Sequence, residues 1–121
     1  MNEAFVHCPF CHPDGILLQN DLAYAVFDNR PVNLGHSLII PKRPVADYFL
    51  TTETEKTALL SLLDKAKHYL DSKHSPVGIN VGEAAGQTIP HVHLHPIPRY
   101  IGDMENPRGG VRGVIPSRQS Y

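Results

Sequence analysis

His91-Val92-His93-Leu94-His95 decides how this chain is read. Histidines alternate there with a β-branched and an aliphatic residue. In an extended strand, successive side chains point to opposite faces. Three imidazoles would then line one face, while Val92 and Leu94 enter a core behind them. The chain holds eight histidines, and three of them fall within these five positions. A strand that merely faces water is the plain alternative, but its outer positions would more often be Thr, Lys or Glu. Imidazoles titrate near neutrality and serve as nucleophile, base or metal ligand.

Working outward, the histidine strand ends in Pro96-Ile97-Pro98 and is preceded by the small-residue loop Gly82-Glu83-Ala84-Ala85-Gly86-Gln87-Thr88. Before that loop, Val77-Gly78-Ile79-Asn80-Val81 reads as another strand. Upstream, Thr52 with Glu55 three residues on forms a capping box. Leu59, Leu62, Leu63, Ala66 and Leu70 then recur at helical spacing, and the helix is expected to fray near Ser72, before Pro76. Ile16-Leu17-Leu18, Ala23 to Phe27 and Leu38-Ile39-Ile40 read as strands, with an Asn20-Asp21 turn between the first two and Pro41 as a stop. The order of strands, helix and strands predicts an α+β fold with an antiparallel sheet of about five strands and the helix on one face.

At 121 residues the chain is expected to form one domain, residues 1–121, with a core over about 8–99 and a glycine-rich tail over 100–121. A net charge of −1 and the absence of a long basic run argue against duplex nucleic acid as a partner. No run of 18 apolar residues and no signal-peptide-like start is present, so no membrane association and a cytoplasmic location are expected. Cys8 and Cys11 are too close for an ordinary disulfide framework and suggest metal or redox chemistry.

Two chemistries suit alternating histidines. Two imidazoles plus a third ligand can hold a catalytic zinc, which would want carboxylates such as Glu83 or Asp103 from the loops. Alternatively, one imidazole attacks an electrophile while its neighbours fix its tautomer and bind charge. Gly86-Gln87-Thr88 offers backbone N–H groups and a hydroxyl, a concave anion site suited to phosphate. A histidine beside such a cradle points to attack on phosphorus.

Gly86-Gln87-Thr88-Ile89-Pro90-His91-Val92-His93-Leu94-His95, followed by Pro98-Arg99, resembles the histidine triad (HIT) family of nucleotide hydrolases and transferases. Asp28-Asn29-Arg30-Pro31 through Gly35-His36-Ser37-Leu38-Ile39-Ile40-Pro41 is similar to that family's second and third strands. Asn80 stands thirteen positions before His93, where the family keeps a polar amide. The resemblance implies a HIT-like sheet with one long helix and a short one packed on it. It also implies a cytoplasmic homodimer that hydrolyses dinucleoside polyphosphates or, as a phosphoramidase, adenosine phosphoramidates.

The implied mechanism is attack by His93 on the α-phosphorus, giving a nucleotidyl-histidine that water then hydrolyses. His91 and His95 complete the catalytic group. Gly86, Gln87, Thr88 and Asn80 would bind phosphate, Asp28 or Asn29 would meet ribose hydroxyls, and His36 would either line the same pocket or serve as a hydrogen-bonded structural histidine. Phe27 and Ile16 are candidates for an apolar base site. No cofactor is expected for catalysis. In relatives with an N-terminal Cys-x-x-Cys, a structural zinc is held by both cysteines, the first triad histidine and a histidine after the third strand. Cys8, Cys11 and His91 supply three of these, but Pro44 stands at the fourth position, leaving His7, His12 or water as substitutes. Pro96 departs from the pattern too, because proline cannot donate to the ladder and should leave the strand bulged or unpaired there. Arg108 and Arg112 would either close over a phosphate-rich leaving group or belong to a solvated tail. A nucleotide-binding module with residual turnover and a metal-dependent hydrolase with three histidine ligands are the competing functions.

Overall fold

The computed structural model describes residues 8–70 and 73–121. The predicted helix end near Ser72 and the side chain of His7 lie outside them. Five antiparallel strands form one sheet: β1 (Leu18–Gln19), β2 (Ala23–Phe27), β3 (Ser37–Pro41), β4 (Val77–Ile79) and β5 (Leu94–Pro96), in the spatial order β1-β2-β3-β5-β4. One long helix, α1 (Glu53–Leu70), packs on β1, β2 and β3. In place of one short second helix, the described residues form four 3-10 segments, Tyr48–Leu50, Glu83–Ala85, Gly110–Val114 and Pro116–Arg118.

Alternation along β2 and β3 divides the apolar residues between the two faces. Ala23, Ala25 and Ile39 meet Leu59, Leu62 and Ala66 of α1 together with Val45, Val92 and Leu94. Tyr24, Leu38 and Ile40 form a second cluster on the opposite face, with Phe10 and Val26 against it. The β1–β2 hairpin turns at Asn20, whose side-chain oxygen accepts from the Leu22 and Ala23 amides. Its amide group donates to the Ala58 carbonyl and ties the hairpin to α1.

The capping box forms as predicted. Thr52 Oγ1 accepts from the Glu55 amide, and a Glu55 carboxylate oxygen accepts from the Thr52 amide. Arg43 adds two bonds to the same carboxylate, at 2.8 and 3.0 Å. These contacts, led by the Arg43 hydrogen bonds and opposed by burial, hold Glu55 down to about 2.

The predicted strand over His91–His95 needs correction. β5 starts only at Leu94, and His91 to His93 run up to it as irregular chain. Their backbone bonds go elsewhere: the His91 amide to the Ile89 carbonyl, the Val92 amide to the Val45 carbonyl. Val92 and Leu94 enter the core as expected, but burial does not alternate, because His91 and His93 are buried as well. Pro96 is not wholly unpaired, since it stands opposite Val77 in the β4–β5 register. The β3–β5 register, by contrast, is the single pair Ile39 with Leu94. The Ile97 amide donates toward Pro76, on the β4 side, so alternation turns the Pro96 nitrogen toward β3.

Candidate active site

His91 and His93, two residues apart, serve different surroundings. His91 is fully buried, and its Nε2–H donates to the Pro41 carbonyl at 2.6 Å. A carbonyl only accepts, so the proton sits on Nε2 and Nδ1 keeps a lone pair. That lone pair faces Cys8 Sγ at 3.3 Å and Cys11 Sγ at 3.6 Å. Burial is the main reason that His91 is held below the ordinary histidine range, and it remains neutral. Burial also pushes the Cys11 thiol up to about 11, helped by its hydrogen bond with Cys8. The three imidazoles therefore do not line one face together, because the cysteine turn captures the first.

His93 Nδ1–H donates to the backbone carbonyl of His91 at 2.8 Å. The neutral ring is thereby fixed with its lone pair on Nε2. Phe10 packs edge-on against it, with ring centroids 5.0 Å apart, and lies 6.0 Å from the ring of His91. The Tyr24 hydroxyl donates to the Phe10 carbonyl and fixes the turn that carries this aromatic. Phe10 was not anticipated as a site residue. Its position inside Cys8-Pro9-Phe10-Cys11 was the available signal.

His95 belongs to a second network. The Val32 amide donates to His36 Nδ1 at 3.0 Å, so the proton of a neutral His36 must sit on Nε2. That Nε2 lies 3.0 Å from His95 Nδ1 and 3.4 Å from an Asp28 carboxylate oxygen. With His95 Nδ1 accepting, the proton of His95 is placed on Nε2. Burial lowers His95 to about 4, reinforced by His93 and His36 and partly opposed by Asp28. His36 is lowered for the same leading reason. Asp28, His36 and His95 are close enough to suggest a cation site. The Val32 bond argues against one, because His36 would have to ligate through the nitrogen that carries its proton.

These residues line a cavity of about 620 Å3 that includes Asp28, Asn29, Thr88, His93 and His95. Phe27 lines it, whereas Ile16 does not. His36 is buried behind His95 and is absent from the lining, the hydrogen-bonded arrangement of its structural alternative. Asn80 is exposed and also lies outside the lining, as do Gly86 and Gln87. Gln87 braces the loop instead. Its side-chain oxygen accepts from the Gly82 amide, and its amide group donates to the Ala46 and Ile89 carbonyls. Gly86 has φ of +91° and open space beyond a virtual Cβ, so conformation rather than crowding requires glycine there.

The three histidines do not gather as one ligand set. His91 ends among thiols, His95 among Asp28 and His36, and His93 belongs to neither group. Glu83 lines a separate shallow hollow with Gln87 and Thr88, and Asp103 pairs with Arg99 at 2.7 Å. Arg108 and Arg112 lie over the Tyr121 ring, at 4.6 and 5.1 Å from its centre, and neither lines the cavity. Among the described residues no helix is long and apolar enough to cross a membrane.

Comparison with known proteins gives a match to the HIT domain family over residues 11–102. The "AP-4-A phosphorylase" of Mycobacterium tuberculosis is 32% identical over 93 residues, covering 73% of this chain and 48% of that protein. The asymmetrical bis(5'-nucleosyl)-tetraphosphatase of Schizosaccharomyces pombe is 35% identical over 92 residues, covering 73% and 50%. The chain thus spans about half the length of these two relatives. A zinc-bound histidine triad family protein from Mycobacterium smegmatis superposes with a TM-score of 0.73 at 28% identity, covering 84% of this chain and 81% of that one.

Proposed function

Since the chain belongs to the HIT domain family, we propose that it hydrolyses nucleotide phosphoanhydride or phosphoramidate bonds through a nucleotidyl-His93 intermediate. The observation that carries this reading is the fixed tautomer of His93. Its Nδ1–H is held by the His91 carbonyl, which leaves Nε2 as a lone pair on a ring that lines the cavity. Attack by that nitrogen forms a phosphorus–nitrogen bond and breaks the bond from phosphorus to the leaving group. His95, with its proton on Nε2, donates toward a phosphate oxygen or the departing group. Thr88 supplies a hydroxyl to the phosphate, and Asp28 with Asn29 takes the ribose hydroxyls. Water then attacks phosphorus, the phosphorus–nitrogen bond breaks, and a nucleoside monophosphate leaves.

Dinucleoside polyphosphates are the substrate class proposed first, because relatives bearing tetraphosphatase and phosphorylase names align with 73% of this chain. The protein acts as a homodimer in this reading. A zinc ion held by Cys8, Cys11 and His91 would cross-link the cysteine turn to the histidine segment, a structural role apart from the transfer itself.

Rapid quench with a nucleotide labelled at the α-phosphorus tests the intermediate. Label should be trapped on protein, stable in alkali and lost in acid, and absent from His93→Ala. That variant should lose turnover while nucleotide affinity stays within about tenfold, since binding rests on the surrounding groups. Turnover near wild type in His93→Ala, or label retained on it, would overturn the assignment.

A further inference from the structure

We infer that Cys8, Cys11 and His91 form a zinc site with only three protein ligands, leaving a fourth coordination position open to an exchangeable small donor. The donor atoms are already at the spacing that zinc requires. Zinc–sulfur and zinc–nitrogen bonds of about 2.3 and 2.0–2.1 Å at a tetrahedral angle put sulfur and nitrogen about 3.5 Å apart. The observed separations are 3.3 and 3.6 Å. His91 presents the correct nitrogen, because its Nε2–H is committed to the Pro41 carbonyl. An outer hydrogen bond of this kind orients metal-bound imidazoles generally.

A fourth ligand is missing from the cluster among the described residues: no other His, Cys, Asp or Glu joins it. The segment that closes over His91 is residues 41–45. It is pinned by the Pro41 carbonyl to the His91 ring and by the Val45 carbonyl to the Val92 amide. Between those pins stand Lys42, Arg43 and Pro44, all exposed. Arg43 is occupied by Glu55, and Pro44 has no donor atom. Cys11 is only half-buried, so the cluster is reachable from solvent on that side. Three protein ligands with a vacant position is the pattern of zinc sites that keep a water. Loading is balanced by proton release: two thiols and one zinc ion give a bis-thiolate complex and two protons, with no change of oxidation state.

The test uses the full chain, reduced with a phosphine and titrated with cobalt(II) as a spectroscopic stand-in for zinc. One cobalt per chain should bind, with the absorption of a tetrahedral thiolate-ligated ion. Cys8→Ser and Cys11→Ser should each abolish that spectrum. Imidazole or 2-mercaptoethanol added to the loaded wild type should shift the visible bands saturably. In Pro44→His the same additions should have no effect. Zinc should also bind that variant tighter by about ten- to a hundredfold, no less than the effect of losing a group that merely orients a ligand.

Two free thiols and no bound metal at excess cobalt would overturn the inference. So would wild-type bands that ignore added donors. Loss of metal in His7→Ala or His12→Ala equal to that in Cys8→Ser would put a fourth protein ligand in place and overturn it as well. None of these outcomes depends on nucleotide turnover, so they stand or fall apart from the proposed hydrolase.

Discussion

The backbone amide of Val32 acts on His95 through one intervening ring. It fixes the proton of His36 on Nε2, and that proton in turn makes His95 Nδ1 an acceptor. His36 is buried and does not line the cavity, so its effect on turnover has to pass through His95 and Asp28, the two lining groups it touches. Without it, His95 Nδ1 becomes free to donate to Asp28, 4.0 Å away, and Nε2 loses its proton. His36→Ala should therefore lower kcat by about ten- to a thousandfold, the range for losing one transition-state donor, with KM little changed. His36→Gln, which can still offer an N–H, should recover part of the loss. Steady-state kinetics of both variants checks this, and equal losses would argue for a merely structural histidine. The alternation of His91, His93 and His95 made these residues legible as a functional group in the sequence. Their division into two environments was not legible, because it depends on thiols some eighty positions away and on one carbonyl of β3.

At the scale of elements, α1 was the most readable part, since its capping box and apolar stripe are local patterns. Arg43 was not. No local pattern marks it, yet it reaches Glu55 across the start of the helix. The Glu55 carboxylate is nearly buried, whereas half of the Arg43 side chain remains in water. Arg43→Ala should cost about 1–2 kcal/mol, the low end for a charged hydrogen bond because solvent screens the guanidinium. Thr52→Ala should cost about 1 kcal/mol through loss of the cap. Urea unfolding measures both, and the two losses should not add fully, because Thr52 Oγ1 holds the Glu55 amide while Arg43 holds the carboxylate of the same residue. β5 was misjudged for a different reason. Its residues have strand alternation, but β4 ends at Ile79 opposite Leu94, and the Val92 amide goes to the Val45 carbonyl instead of to β3.

For the whole molecule, the histidine cluster sets how stability responds to acid. His95 is held to about 4, and His36 and His91 are also held below the ordinary value, chiefly by burial. Unfolded histidines protonate near pH 6.5. Between that pH and about 4 the unfolded chain binds more protons, so stability falls as the pH is lowered through this window. Glu55, held to about 2, adds its loss below the ordinary carboxylate range. Denaturation midpoints of metal-free protein should therefore drop from pH 7 to pH 4.5, and drop further below it. His95→Asn should flatten the first part of the profile, and an unchanged slope would contradict the lowered value.

The single register pair joining β3 to β5 has a mechanical consequence. Asp28 and His36 ride on the β1–β2–β3 meander, while His93 and His95 ride on the β4–β5 ribbon. The cleft is thus a joint between two plates riveted at Ile39 and Leu94, and its working gap is gauged by the packing of those two side chains. Wear at the rivet should be felt at the jaws. Leu94→Ala, which removes buried bulk without touching any pocket group, should cost about 2–5 kcal/mol. It should also slow turnover in protein that is still folded. Hydrogen exchange should show the loosening at Ile39 and along β5 before it reaches the β1–β2 hairpin, because play in one rivet frees the ribbon to slide as a unit.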